Sequence, residues 1–293
     1  GKFLDINKTN HCKAYQVGII SEMFADGEFK DGDSFFFADG WNFGITAVKY
    51  MAQLNNIKIK IYSFLHAGTW DKYDFISQAG LGEWAKHNEI GWLKACDCNF
   101  VSTNFHKRLI MDYFGSELST NVKIEVVGFP LDFKAEIESL GVKHNKDKEN
   151  LVVFPHRIDK EKSPKTFDNI AKEMNQFNFI KTMDVTNTKK EYYELLSKAK
   201  IVFSASKQET FGIGAVEGMI LGAIPVVPNR LSYSELYNDI FKYKNLNEAK
   251  DMIKNFITHY DSNRIQCIQK NNIEKIRKQS LDSVNKMIKV MMK

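Results

Sequence analysis

The residues best suited to chemistry lie in one stretch, QETFGIGAVEGMILGAIPVVP (208–228), where Glu209 and Glu217 stand on either side of a glycine-broken apolar run. A helix buried for packing alone needs neither carboxylate. FGIGAVE follows a strand pattern and opens a helix, so Phe211, Gly212 and Ile213 offer backbone N–H groups and a positive dipole end to an anion. Gly212 also permits close backbone approach. Carboxylates flanking an anion site would repel a bare phosphate, so Glu209 and Glu217 fit hydroxyl groups on a larger ligand. Arg157 and Lys162, in VVFPHRIDKEKSPKTF, follow another strand pattern as candidate cations. Taken singly, an Arg or Lys after a strand is more often a solvated surface charge. His66 in FLHAGTW and Asp39 in FADGWNFG each end a strand pattern of the N-terminal half. Asp31-Gly32-Asp33 has an acid spacing that elsewhere holds metal, but DGD ahead of a strand is ordinary turn chemistry, and no metal site is expected.

Alternating apolar runs and helical patterns must position these groups. DSFFFADG (33–40) reads as a buried strand, TAVKYMAQL (46–54) as a helix, and IKIKIYSFLHAG (57–68) as a strand and turn. WLKACDCNFVST (92–103) contains the next strand, ahead of a helix around FHKRLIMDYF, and KIEVVGFP (123–130) closes the series. The charged stretch 134–150 marks the expected boundary between an N-terminal domain over 1–140 and a C-terminal domain over 141–293. The second series runs LVVFPH (151–156), a helix around 164–175, FIKTMD (179–184), a helix around 189–198, KIVFSAS (200–206), the glutamate stretch and AIPVVP (223–228). Successive strand–turn–helix units imply an α/β fold with parallel sheets and right-handed crossovers. The expectation is two doubly wound, Rossmann-like domains facing across a cleft at the carboxyl ends of their strands. The tail IEKIRKQSLDSVNKMIKVMMK is a long basic amphipathic helix. Such a helix usually covers a sheet face, though it also suits a membrane surface. GKFLDINKTNHCKAYQ lacks the strand and glycine-rich turn that usually open such a domain. Either the fold starts unusually or its first strand lies outside this chain.

Composition fits that picture: 293 residues, 43% hydrophobic and 26% charged, suit about two globular domains. No apolar run approaches the ~18–20 residues of a membrane span, and no secretory pattern opens the chain, so a cytoplasmic protein without integral membrane insertion is expected. Cys12, Cys96, Cys98 and Cys267 are few and scattered, as reduced thiols would be. Residues 1–148 carry 17 basic against 19 acidic side chains (−2), leaving 24 against 17 (+7) for the remainder. That asymmetry points to an anion held mainly by the C-terminal half.

VVFPHRIDKEKSPKTF followed by FSASKQETFGIGAVEGMILGAIPVVP resembles the retaining GT-B glycosyltransferases of the large family typified by sucrose and glycogen synthases. Arg157, Lys162, Glu209 and Glu217 fall in order on that family's Arg, Lys and E-x7-E positions. VVGFPLDF sits where the family has an Asn-Gly-Val-Asp turn and lacks its asparagine. The resemblance implies a nucleotide-sugar donor, such as a UDP- or GDP-sugar, and no cofactor. Glu209 then accepts from sugar hydroxyls and Glu217 from the ribose, the amides of 211–213 hold the diphosphate, and Arg157 and Lys162 neutralise the charge growing on it. It also implies contact of His66 with the donor sugar or transferring centre; Asp39, by its place at the end of a neighbouring strand, is a candidate to touch the acceptor.

The leading expectation is therefore a metal-independent, retaining hexosyl- or pentosyltransferase. PNRLSYSELY (228–237) and FPHRIDKEKSP are similar to segments of enzymes that glycosylate modified nucleobases, the queuosine-tRNA mannosyltransferases and phage enzymes acting on hydroxymethylated pyrimidines in DNA. A DNA or tRNA acceptor follows, in a bacterial cell or a phage-infected host, with Lys107 and Arg108 or Lys58 and Lys60 as phosphate contacts. The −2 of the acceptor-side half runs against a polyanion. A glycan or lipid acceptor at a membrane surface, or a non-catalytic nucleotide-sugar-binding subunit, are the alternatives.

Overall fold

The structure, a computed structural model, describes residues 6–118 and 121–293. The chain forms two compact units, one running to Gly128 and including Ser283–Lys293, the other spanning Phe129–Asp282. The division thus falls upstream of the charged stretch 134–150. The reason is a helix at the start of that stretch, α6 (Phe133–Ser139), whose Phe133 and Ile137 are buried in the cores of the second unit.

The first unit runs α1 (Ile6–Ala25), β1 (Ser34–Phe37), α2 (Gly44–Leu54), β2 (Lys60–Phe64), α3 (Phe75–Gln78), α4 (Gly82–Ala95), β3 (Cys98–Val101), α5 (Asn104–Phe114) and β4 (Ile124–Val126). Its strands form one parallel sheet in the order β1-β2-β3-β4. All four residues of β3 are buried, as expected of a strand covered on both faces. β1 is not the buried strand that SFFF suggests. Among the described residues it pairs only with β2, and its residues alternate between exposed and half-buried. Asp31 and Asp33 spend their carboxylates on turn amides, accepting from Lys58 N at 2.7 Å and Lys30 N at 2.9 Å. The opening holds a helix, α1, where no element was legible; residues 1–5 lie outside the described residues.

The second unit runs α6, β5 (Glu149–Phe154), α7 (Pro164–Glu173), β6 (Asn178–Lys181), α8 (Thr182–Val185), α9 (Lys189–Lys198), β7 (Ala199–Phe203), α10 (Ile213–Ile220), β8 (Ile224–Pro228), α11 (Tyr233–Leu236), β9 (Lys242–Tyr243), α12 (Leu246–Thr258) and most of α13 (Asn263–Met291). The sheet is parallel in the order β6-β5-β7-β8-β9. The chain leaves β5 outward to β6, then returns to place β7 on the opposite side of β5. A reversal of that kind opens a crevice at the carboxyl ends of the two strands it separates, here β5 and β7. Val152, Phe154, Ile201, Phe203 and Val226 fill the core on one sheet face, which explains the nearly continuous apolar runs of these strands. α13 buries Ile265, Gln269, Asn272 and Ile276, and Gln269 and Asn272 donate to backbone carbonyls of Ala223 and Leu236. Within the tail 273–293 itself, Ile276, Ser280, Ser283 and Met287 are buried, so one side of that segment is packed.

Candidate active site

The crevice at β5 and β7 brings Lys162, Glu209 and Gly212 of the sequence-selected residues together. After β5 the chain passes Pro155, His156 and Arg157 and makes a short turn that ends at Ser163, in the left-handed region at φ 58°. Lys162, just before Ser163, is buried. Its Nζ donates to the Gln208 carbonyl at 2.7 Å and lies 3.1 Å from Glu209 Oε2. One ammonium therefore ties the loop after β5 to the loop after β7, and Lys207 N, donating to Glu161 O at 2.7 Å, makes a second tie.

Glu209 is held at its other oxygen by the Gly212 amide, 3.0 Å from Oε1. Burial pushes this carboxyl up, but the Lys162 ammonium and the Gly212 amide outweigh it and hold the group below its usual range. It is an anion at neutral pH. The expectation that the Gly212 amide faces the ligand changes accordingly, since that amide serves Glu209. Gly212 is required for two reasons. Its φ is +90°, and a Cβ there would come 2.7 Å from the Tyr233 ring. A Cβ at Gly214 would sit 3.0 Å from both the carbonyl oxygen and the Cβ of Pro155, so α10 begins in direct contact with the end of β5. Ile213 and Gly214 open that helix, and helix-start amides precede the first intrahelical bond. The Phe211 side chain is core, stacked on Phe129 and Phe133 at centroid distances of 5.2 and 5.9 Å.

Glu217 does not share the Lys162–Glu209 contact. It is 2% exposed and accepts from Lys189 Nζ at 2.8 Å, Tyr192 Oη at 2.7 Å and Tyr193 Oη at 2.9 Å, all on α9. Burial first, and Glu217 next, push both phenols far above their ordinary range, so they stay protonated donors. Lys189 also lies 3.9 Å from Glu136 of α6. Three donors leave about one of a carboxylate's roughly four acceptor positions unspent.

Arg157 is half-buried and paired, with Nε 3.4 Å from Asp159 and one Nη 3.0 Å from Glu161. In the first unit, His66 is exposed past the end of β2, with Nε2 2.9 Å from the Ala38 carbonyl oxygen. Asp39 bonds Lys13 Nζ at 2.6 Å and accepts from Trp41 N at 3.1 Å.

Two residues of the second unit were not singled out from sequence. His156, beside Arg157, is 6% exposed, and burial, with Lys162 adding to it, pushes its imidazole down to about 3. Its place at the end of β5 was the available signal. Arg230, just past β8, donates to the carbonyls of Ala205 and Ser206 and so clasps the loop that carries Glu209. Nothing in the local pattern of PNRLSYSELY distinguishes it from a surface arginine.

No protein-family model matches the chain. The tRNA-queuosine alpha-mannosyltransferase of Drosophila melanogaster is 32% identical over 68 residues, which are 23% of this chain and 18% of that protein. Among solved structures, the pneumococcal O-GlcNAc transferase GtfA in complex with UDP and GlcNAc superposes with TM-score 0.63 at 13% identity, over 94% of this chain and 60% of that one. Sucrose-phosphate synthase from Thermosynechococcus elongatus gives 0.66 at 15% identity, over 99% and 78%. The UDP-forming α,α-trehalose-phosphate synthase of Burkholderia xenovorans gives 0.69 at 10% identity, over 99% and 79%. This chain spans less than two thirds of the first of these structures and under a fifth of the curated relative in the matched segment. The likeness is one of fold, and the fold is GT-B: two Rossmann-like α/β units, each built on a parallel sheet.

Proposed function

We propose that the protein is a retaining, metal-independent glycosyltransferase that moves a sugar from a nucleotide-sugar to a hydroxyl acceptor. The observation that carries this reading is the part-buried Lys162–Glu209–Gly212 contact at the start of α10, beside Arg157 and at the switch point of the second sheet. It sets a fixed carboxylate for sugar hydroxyls beside the first amides of a helix that suit a diphosphate. Glu209, an anion already engaged by a lysine and an amide, positions sugar rather than attacking it. The bond from the anomeric carbon to the diphosphate oxygen breaks, and its electron pair stays on that oxygen. The acceptor oxygen bonds to the anomeric carbon from the same face, and its proton passes to the departing diphosphate. Lys162 and Arg157 stabilise the charge that develops there.

For the acceptor, a modified nucleobase in tRNA or DNA is the favoured class. Its support is the 68-residue likeness to a protein named for queuosine mannosylation, together with the segments FPHRIDKEKSP and PNRLSYSELY. The test is to offer a panel of UDP- and GDP-sugars without acceptor and follow hydrolysis, with and without EDTA. One donor is expected to be hydrolysed in both conditions, and Glu209→Ala is expected to lose nearly all of it while staying folded. Hydrolysis of no donor removes the reading; activity lost to EDTA and restored by manganese removes its metal-independent mechanism.

A further inference from the structure

The second unit gathers cations at the carboxyl ends of β5, β7 and β8, and their charges are not equally spent. Arg157 faces Asp159 and Glu161, and Lys162 faces Glu209. An incoming anion must compete with those carboxylates. Arg230 is different. Its Nε donates to Ser206 O at 3.0 Å, and one Nη donates to Ala205 O at 3.0 Å and Ser206 O at 2.9 Å. Backbone carbonyls orient a guanidinium without cancelling its charge. Among the described residues Arg230 has no carboxylate partner, its second Nη makes no protein hydrogen bond, and the residue is exposed. The side chain is therefore fixed through Nε and one Nη, and the two N–H groups of its second Nη, on a guanidinium that keeps its full charge, are open to an oxyanion. Its anchor is also informative. The carbonyls of Ala205 and Ser206 belong to the loop that leads to Glu209 and Gly212, so the guanidinium is anchored on the same loop as the sugar-binding carboxylate.

We infer that Arg230 is an anion-receiving residue of this site and that the group it takes is a phosphate oxyanion. Two sources carry that chemistry: the diphosphate of a nucleotide-sugar donor and the backbone of a polynucleotide acceptor. The inference rests on the nucleotide-sugar reading for its setting, but its test reads binding and needs no turnover. A protein that binds pyrophosphate through Arg230 yet hydrolyses no nucleotide-sugar keeps this inference and loses that reading.

The intact protein is titrated by calorimetry with inorganic pyrophosphate, UDP, GDP and a single-stranded oligodeoxynucleotide, alongside Arg230→Gln and Arg230→Lys. Glutamine keeps an amide donor for the clasp and discards the charge; lysine keeps the charge and discards the guanidinium that serves the clasp and the anion at once. Pyrophosphate affinity is expected to fall about tenfold or more in Arg230→Gln, the loss typical of one charge-assisted hydrogen bond, and to fall less in Arg230→Lys. A parallel loss for UDP and GDP assigns the donor as the source. A loss confined to the oligonucleotide assigns the acceptor. Parent-like affinity of Arg230→Gln for all four probes, or a parent that binds none of them, overturns the inference. Should Arg230→Gln fail to fold, phenylglyoxal modification of the parent followed by mass spectrometry decides: Arg230 protected by pyrophosphate supports the inference, and Arg230 modified at an unchanged rate overturns it.

Discussion

At the scale of single residues, the two glutamates of the E-x7-E pattern turn out to be different objects. Glu209 is an anion shared between an ammonium and an amide, whereas Glu217 is a buried acceptor held by three donors of α9 with about one acceptor position left. Glu217→Ala would therefore unsettle Lys189 and two tyrosines as well as any ribose, and the discriminating variant is Glu217→Gln. Its expected effect is a donor KM raised about tenfold, the size of one lost hydrogen bond to a charged group, with kcat nearly unchanged. Steady-state kinetics decide, and a collapse of kcat at constant KM would contradict the ribose role. A second residue-scale outcome concerns acid. His156 and His106 are buried, and burial pushes both down from an ordinary 6.5 to about 3. Between those values the unfolded chain binds protons that the folded one refuses, so stability is intact above about 6.5 and is lost as pH falls towards 3. Each histidine contributes a slope of about 1.4 kcal/mol per pH unit inside the window. Urea unfolding from pH 7 to 4 should show the loss, and His156→Asn should remove one histidine's share of the slope.

At the scale of elements, the site depends on α9 as much as on the loops. Thr188 and Glu191 form a reciprocal capping box at its start, and Lys189 follows at once. Thr188→Ala should cost about 1 kcal/mol of stability by thermal or urea unfolding. It should also raise the donor KM, because the fraying turn carries the lysine bound to Glu217. An unchanged KM alongside the stability loss would separate Lys189 from donor binding. The elements differ in how far they can be read from sequence. β5 and β7 were legible because central parallel strands are apolar on both faces, and α9 because its cap and period agree. The position of Lys162 and Glu209 on adjacent loops was legible from their family order, but the ion pair between them was not, since it is made across the crevice from 47 residues away. α6 was missed for the same reason. Its charged face dominates 134–150, and the burial of Phe133 and Ile137 is decided by partners distant in the chain. β1 misled because three phenylalanines in a row look like core when nothing local marks an edge.

At the scale of the molecule, the acceptor is the open term, and its charge makes a test. A base stacked in a duplex cannot present a hydroxyl to a buried anomeric carbon, so a polynucleotide acceptor must be single-stranded or have its base extruded at a cost of a few kcal/mol. Phosphate contacts offset that cost. Lys107, half-buried, and Arg108, exposed, lie in the early turns of α5, which starts at the carboxyl end of β3. Charge reversal at both should lower transfer to long DNA or RNA and flatten its salt dependence, leaving acceptor-free donor hydrolysis intact. Parent-like transfer would instead favour a glycan or lipid acceptor. The edge position of β1 has a practical consequence for handling the protein in solution. Among the described residues its outer side is unpaired, and Phe36, on one face of the strand, is 45% exposed. Unpaired strand edges with apolar side chains are templates for self-association. Concentrated samples should show particle growth by light scattering, and Phe36→Lys should slow that growth without changing the unfolding midpoint.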